Sequence, residues 1–389
     1  MDCFHPNLSV VKILIAPDKF KGSLSALGVC DAIGEGLRTL NPLLHLRLLP
    51  MADGGEGTAA LLTEHTNGSW IECTVHDPLF RKVKAGYGIS GDGQTAFLEM
   101  ASASGLQLLT PWEPNPLKTT TLGTGELIAH ALQHEVKKIV LAIGGSATND
   151  AGIGMAHALG YRFYDQQNKE LVPIGESLGQ LTSIDQSQVN NRLLQTEFVV
   201  LCDVTNPLYG EQGAARVFAP QKGASERDVV RLDAGLRNFA SVVETQLKIS
   251  THFAGAGAAG GMGAGAKAFL NARLTRGVEY VIETLAVDAA IRQADLIITG
   301  EGKLDSQTLS GKVVVGIAAM AKRFNKPVIA VVGKNELTET EWRNAGLNQV
   351  ISLVDDTTPV EAAMRNPHEL IQKRIAESKL TWIIRGDTK

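Results

Sequence analysis

Cysteine is scarce in this chain: Cys3, Cys30, Cys73 and Cys202 are the only four in 389 residues. None are in CxxC spacing, which argues against a zinc site and a disulfide framework and fits a reducing cytoplasm. No apolar run is long enough to span a bilayer. The start, MDCFHPNLSVVK, lacks the basic residues and long apolar core of a signal peptide, so a cytoplasmic location without membrane contact is expected. Basic residues are not in excess. The net charge is −4, which speaks against a nucleic-acid partner. HExxH and nucleophilic Cys–His patterns are missing, which disfavours hydrolase chemistry. A Walker A loop is missing too. Gly302-Lys303, Gly311-Lys312 and Gly333-Lys334 are followed by Leu, Val and Asn, never by the Ser or Thr that binds magnesium. If ATP binds here, it uses another scaffold.

What the chain does have is glycine, 40 residues of it, in a composition that is 44% hydrophobic and 20% charged. That is the balance of a globular protein long enough for two domains. In Lys138–Phe163, an apolar run (Ile139–Ile143) reads as a buried strand. Gly144-Gly145 breaks it, and Ser146, Thr148, Asn149 and Asp150 lead into a small-residue helix over 151–159. A glycine turn ahead of a helix leaves backbone N–H groups at a positive end, which suits a phosphate.

The same rhythm recurs at both ends. Val11–Ala16 and His45–Leu49 read as strands, each followed by a Gly-rich turn and a helix. Between them and the C-terminal part, 69–76, 82–89 and 95–100 read as successive antiparallel strands with Gly91-Asp92-Gly93 as a hairpin turn. From about residue 288 the βα alternation returns: a strand at Ala294–Thr299, a polar loop at Gly300–Gly311, further strands at 327–332 and 349–354, and a helix over 360–378. The fold class expected is α/β with two domains. Residues 1–65 and 288–389 form a discontinuous Rossmann-like parallel-sheet domain, and 66–287 form an inserted mixed α/β domain.

Five strand-end loops share one composition: Asp18–Ser23, Asp53–Thr58, Gly144–Asp150, Asp203–Asn206 and Gly300–Lys312. Each mixes Gly with Asp, Glu, Asn or Lys. In parallel sheets ligands bind beyond the carboxyl ends of the strands. Lysines neutralise anionic oxygens, carboxylates hold magnesium, and glycines let amides approach phosphates, an inventory suited to phosphoryl transfer. Gly255-Ala-Gly257-Ala-Ala-Gly260 matches GxGxxG but does not follow a strand pattern. Two other readings use the same loops: a nicotinamide-dependent dehydrogenase built on 255–260, and a small-molecule binding protein without chemistry.

IAPDKFKGSLSA (15–26), MADGGEGT (51–58), LGTGELI (122–128) and IGGSATNDAGIGMAHALG (143–160) resemble the bacterial glycerate kinase family. So do CDVTNPLYGEQGAARVFAPQKGA (202–224), GAGAAGGMGAGAKAFL (255–270) and ADLIITGEGKLDSQTLSGK (294–312). The likeness runs from about Lys12 to near the end. It implies an ATP- and magnesium-dependent kinase that phosphorylates D-glycerate, with 2-phosphoglycerate the favoured product and 3-phosphoglycerate the alternative. Within that reaction, roles are assigned from the residues. Lys21, Asp203 and Asp305 are expected to be catalytic, with Asp203 as base and Asp305 near the metal. Lys19, Asp53, Glu56 and Asn206 are expected on the substrate. Gly144, Gly145, Ser146, Asn149, Gly257, Gly260 and Lys312 are expected on ATP, and Asp150, Glu301 and Asp305 on magnesium. Monomer and homodimer both remain open.

Overall fold

The structure, a computed structural model, describes residues 11–310, 312–378 and 380. Cys3 and Gly311 lie outside the described residues. In chain order the strands are β1 (Lys12–Pro17), β2 (His45–Leu48), β3 (Ser69–His76), β4 (Lys82–Ile89), β5 (Thr95–Glu99), β6 (Lys138–Ala142), β7 (Arg162–Tyr164), β8 (Ser183–Asp185), β9 (Glu197–Leu201), β10 (Arg273–Thr275), β11 (Leu296–Leu304), β12 (Val328–Asn335) and β13 (Gln349–Ser352). The chain divides into two compact units. One runs to Asp53 and resumes at Val281, and the other is Gly54–Tyr280.

The first unit is a doubly wound α/β layer. Its five-stranded sheet has the order β13-β12-β11-β1-β2, all parallel. β1 and β11 read as near-continuous apolar runs because helices cover both faces of a parallel sheet. Ile13, Ile15, Leu296 and Ile298 are buried at its centre, each contributing about 1.5–3 kcal/mol. The helix Ala26–Leu40 is capped by Ser25, whose hydroxyl accepts from the Gly28 N–H at 3.1 Å, and it buries Val29, Cys30, Ile33 and Leu37. The chain leaves β1 toward β2 on one side and β11 toward β12 on the other. The switch point therefore lies between β1 and β11, where a ligand crevice opens beyond the strand ends.

Two expectations change here. Residues 300–304 are strand, not loop: β11 continues because Gly300, Glu301, Lys303 and Leu304 pair with Val331, Val332, Lys334 and Asn335. Gly300 is needed for that approach, since a Cβ on it would stand 2.0 Å from the Val331 carbonyl oxygen. The helix expected over 360–378 is two, Val360–Arg365 and Pro367–Glu377. Proline cannot continue a helix and pushes the residue before it out of helical geometry.

The second unit has a six-stranded mixed sheet, β10-β9-β6-β5-β4-β3, in which β3-β4-β5 are antiparallel and β5-β6-β9-β10 parallel. The carboxyl ends of those four parallel strands share one edge. The helix Thr58–His65 belongs to this unit, not to the first as the βα rhythm suggests, because it packs on β3, β4 and β5. The C-terminal boundary likewise falls at 280/281, before the expected 287/288.

Candidate active site

In the first unit a cavity of about 610 Å3 opens at the β1–β11 switch point. Its floor comes from the turn after β1 and from the end of β11. Asp18 leaves β1 with its N–H on the Gly300 carbonyl, 2.8 Å away. Lys21 follows, its backbone N placed within 3.3 Å of where a Cβ on Gly302 would be. Of the expected residues, Lys19, Lys21, Asp53, Glu301, Asp305 and Lys312 line this cavity, joined by Asp18, Lys303, Lys334 and Glu336. Phe20, Leu353, Val354, Val360, Ala363 and Met364 supply an apolar wall.

The electrostatics are those of crowded carboxylates. Burial, then the charge of Asp53, pushes the Asp18 carboxyl up to about 7, against the Lys19 amide and ammonium, which pull it down. Burial also pushes Glu301 up to about 7, with Asp305 and Asp53 adding to it and Thr308 and Lys312 opposing. Glu301 Oε1 is buried with no hydrogen-bond partner. Such an oxygen in a wet cavity lined by further carboxylates suits a divalent cation. Among the described residues no three His, Cys, Asp or Glu side chains could hold a metal by themselves. Magnesium does not need them: one or two carboxylates, waters and substrate phosphates are its usual shell. Asp305 differs from its neighbours. Burial raises it, but the Gln307 amide and the Lys303 ammonium, 3.3 Å away, more than offset this and hold it below the usual range. Lys303 also pairs with Glu336 at 2.8 Å.

Asp18 was not among the expected site residues. Its signal was present in the sequence, as the first carboxylate after a buried apolar strand, the same signal that singles out Asp203.

In the second unit the loops converge on the parallel strand ends. Asp203, just past β9, is exposed and accepts from the Gly277 N–H at 2.9 Å through Oδ1. Gly54 adopts φ 90°, and a Cβ there would come within 2.6 Å of Gly277 Cα and 3.4 Å of Asp203 Oδ2. Gly144 and Gly145 are exposed at the end of β6, and a Cβ on Gly144 would meet Gly55 Cα at 3.5 Å. Ser146, in contrast, is buried, and its Oγ accepts from Lys222 Nζ at 2.7 Å. Glu56 is exposed on the same loop as Gly54. Asn206 is half-buried and braces its own turn by donating from Nδ2 to the Gln212 carbonyl at 2.8 Å.

Three assignments do not survive this geometry. Asp150 is fully buried, and its two oxygens accept from the N–H groups of Thr121, Gly152 and Gly154 and from the Thr121 hydroxyl. It ties one loop to another and is no magnesium ligand. Gly257 and Gly260 are buried in packing: Cβ atoms there would stand 2.1 Å from the Pro207 carbonyl oxygen and 2.0 Å from that of Thr148. The GxGxxG match is thus a packing feature, Gly257 on Pro207 and the left-handed kink at Ala259–Gly261 on the 148–151 backbone, with no strand ahead of it. Gly260→Ala, at φ 71°, is expected to cost about 3 kcal/mol in urea unfolding, while the folded fraction keeps its KM for ATP. Asn149 is fully buried with both amide atoms unpartnered.

The first unit's cavity thus gathers lysines and carboxylates at strand ends. The sequence model of the glycerate kinase family matches residues 13–382. The chain belongs to the glycerate kinase family. It is a kinase, and its reaction is ATP-dependent phosphorylation of glycerate. It is 44% identical to the glycerate kinase of Bacillus subtilis (strain 168) over 93% of this chain and 95% of that one. It is 45% identical to the glycerate 2-kinase of Escherichia coli (strain K12), over the same shares. Its fold matches the crystal structure of a "putative glycerate kinase 2" from Salmonella typhimurium LT2 with a TM-score of 0.86 and 45% identity, covering 97% of this chain and 98% of that one. A family of kinases leaves no place for the dehydrogenase or non-catalytic readings.

Proposed function

We propose that the first unit's cavity binds ATP as its magnesium complex and that the product is 2-phosphoglycerate made from D-glycerate. The observation that carries the ATP reading is one cavity combining an apolar wall, five lysines and the unpartnered buried oxygen of Glu301. The apolar wall of Leu353, Val354, Val360 and Met364 suits a base. Lys21 and Lys312 suit phosphate oxygens, and Lys312 does so from the N-cap position of the helix Val313–Arg323. Glu301 and Asp18 would hold magnesium, with Asp53 near them. When bound, the ion neutralises phosphate charge. Lys19 and Asp305 complete the wall around the phosphates. In the second unit the exposed Gly144–Gly145 turn suits an oxyanion, and Asp203 suits the proton of the attacking hydroxyl, with Glu56 and Asn206 on the adjoining loops. The 2-position is supported by the name of the Escherichia coli relative. A cytoplasmic setting is supported by the free thiols of Cys30, Cys73 and Cys202. No helix among the described residues is long and apolar enough to cross a membrane.

The test is incubation with ATP, magnesium and D-glycerate, followed by phosphorus NMR of the product. A 2-phosphoglycerate resonance is expected. A 3-phosphoglycerate resonance would refute the regiochemistry, and unchanged ATP would refute the activity. Lys21→Ala is expected to lower kcat/KM about tenfold, roughly 1.4 kcal/mol. Steady-state kinetics that match the wild type would remove Lys21 from the site.

A further inference from the structure

Behind the Gly144–Asp150 turn lies a buried cation. Lys222 ends the short 3-10 helix Pro220–Lys222. Gly223 follows at φ 90° and packs so closely that a Cβ there would stand 2.1 Å from the Pro114 carbonyl oxygen. With the chain pinned in this way the lysine points inward and is 2% exposed. Its Nζ donates to Ser146 Oγ and to the Thr148 carbonyl, both at 2.7 Å. An ammonium held in such a place is costly unless something uses its charge. The charged group facing it is Asp150, whose oxygens are already committed to the backbone and hydroxyl donors of Thr121, Gly152 and Gly154. Burial brings Lys222 down to about 7, with Asp150 opposing. A hydroxyl that accepts from an ammonium keeps its own proton to donate, and Ser146 directly follows the exposed Gly144-Gly145 pair. Thr148 Oγ1 and both amide atoms of Asn149, buried in the same loop, have no hydrogen-bond partner.

We infer that Lys222 is a positioning residue for an oxyanion on the Gly144–Ser146 turn, ordering the turn and polarising the Ser146 hydroxyl toward a carboxylate or phosphoryl oxygen. It acts through Ser146 and does not touch the substrate. The inference rests on reading the turn as an oxyanion site. The oxyanion comes either from D-glycerate or from ATP. A bound anion favours the protonated lysine, so binding at pH 8 takes up a proton.

The test uses the full chain at pH 8 and isothermal titration calorimetry in two buffers of unlike ionisation heat, with D-glycerate and with ATP–magnesium titrated separately. Wild type should take up protons with one of the two ligands, which identifies the source. Lys222→Met, which keeps the volume and removes the charge, should bind that ligand at least tenfold more weakly and without proton uptake. Ser146→Ala should weaken the same ligand about tenfold with the lysine retained, and decides alone if Lys222→Met does not fold. Unchanged affinities in the variants overturn the inference while leaving the oxyanion reading intact, as does proton uptake that persists in Lys222→Met. Wild type that binds neither ligand overturns both.

Discussion

Replacing Glu301 by Gln is expected to lower kcat/KM about 100-fold, roughly 2.7 kcal/mol, and to raise the magnesium concentration needed for half-maximal rate. The carboxylate sits on β11 with one oxygen unpartnered in the cavity, and the amide that replaces it offers a cation no charge. The same substitution has a thermodynamic signature that does not depend on turnover. Burial, with Asp305 and Asp53 adding, raises Glu301 from its ordinary 4.5 to about 7. The folded protein therefore holds this proton to a higher pH than the unfolded chain does. The stability it lends is complete below pH 4.5 and is lost as the pH rises through about 7. Asp18, raised to about 7 by burial and by Asp53, behaves in the same way from 3.8. Metal-free wild type should thus lose stability between pH 5 and pH 8 in urea unfolding, and magnesium should restore it at pH 8. Glu301→Gln, with no proton to lose there, should be more stable than wild type at pH 8 without magnesium, by on the order of 2 kcal/mol. A folded variant with unaltered kcat and magnesium response would remove Glu301 from the metal.

Asp203→Asn is expected to cut kcat about 100-fold with the magnesium dependence unchanged. The side chain stands exposed past the end of β9, beside the Gly54 and Gly277 backbones. Asparagine keeps an oxygen for the Gly277 N–H, so the brace at 2.9 Å survives and the fold should be retained. What is lost is the capacity to accept a hydroxyl proton. A loose phosphoryl-transfer transition state leaves little charge on the nucleophile, so the effect belongs at the lower end of the range for general bases. A folded Asp203→Asn enzyme with wild-type kcat would reduce Asp203 to a turn brace. One whose magnesium requirement rises instead would place it near the ion.

The strands read at 69–76 and 82–89 have the bounds observed for β3 and β4, because a half-buried antiparallel strand writes its period into the chain. Buried parallel strands were legible as apolar runs up to the point where they turn polar. There the local signal ended: Gly300–Leu304 has the composition of a loop, and only the ladder to β12 makes it strand and aims Glu301 into the cavity. The strand-end loops were legible as chemistry because carboxylates, lysines and glycines together have few other uses, and the motif blocks from Lys12 onward carried the family. The use of each polar group was not legible. Asp150 and Asp203 look alike in sequence, each among small residues past a buried strand. One is closed off by four donors and the other is exposed. Gly257 and Gly260 answer to a carbonyl of Pro207 and one of Thr148, a packing constraint that imitates a nucleotide motif. Lys222 meets Ser146 across 76 residues of chain. The residue types determined which chemistry the protein could perform. Which copy of each residue is spent on the fold and which is left for substrate depends on desolvation and long-range hydrogen bonds, and these exist only once the chain has packed.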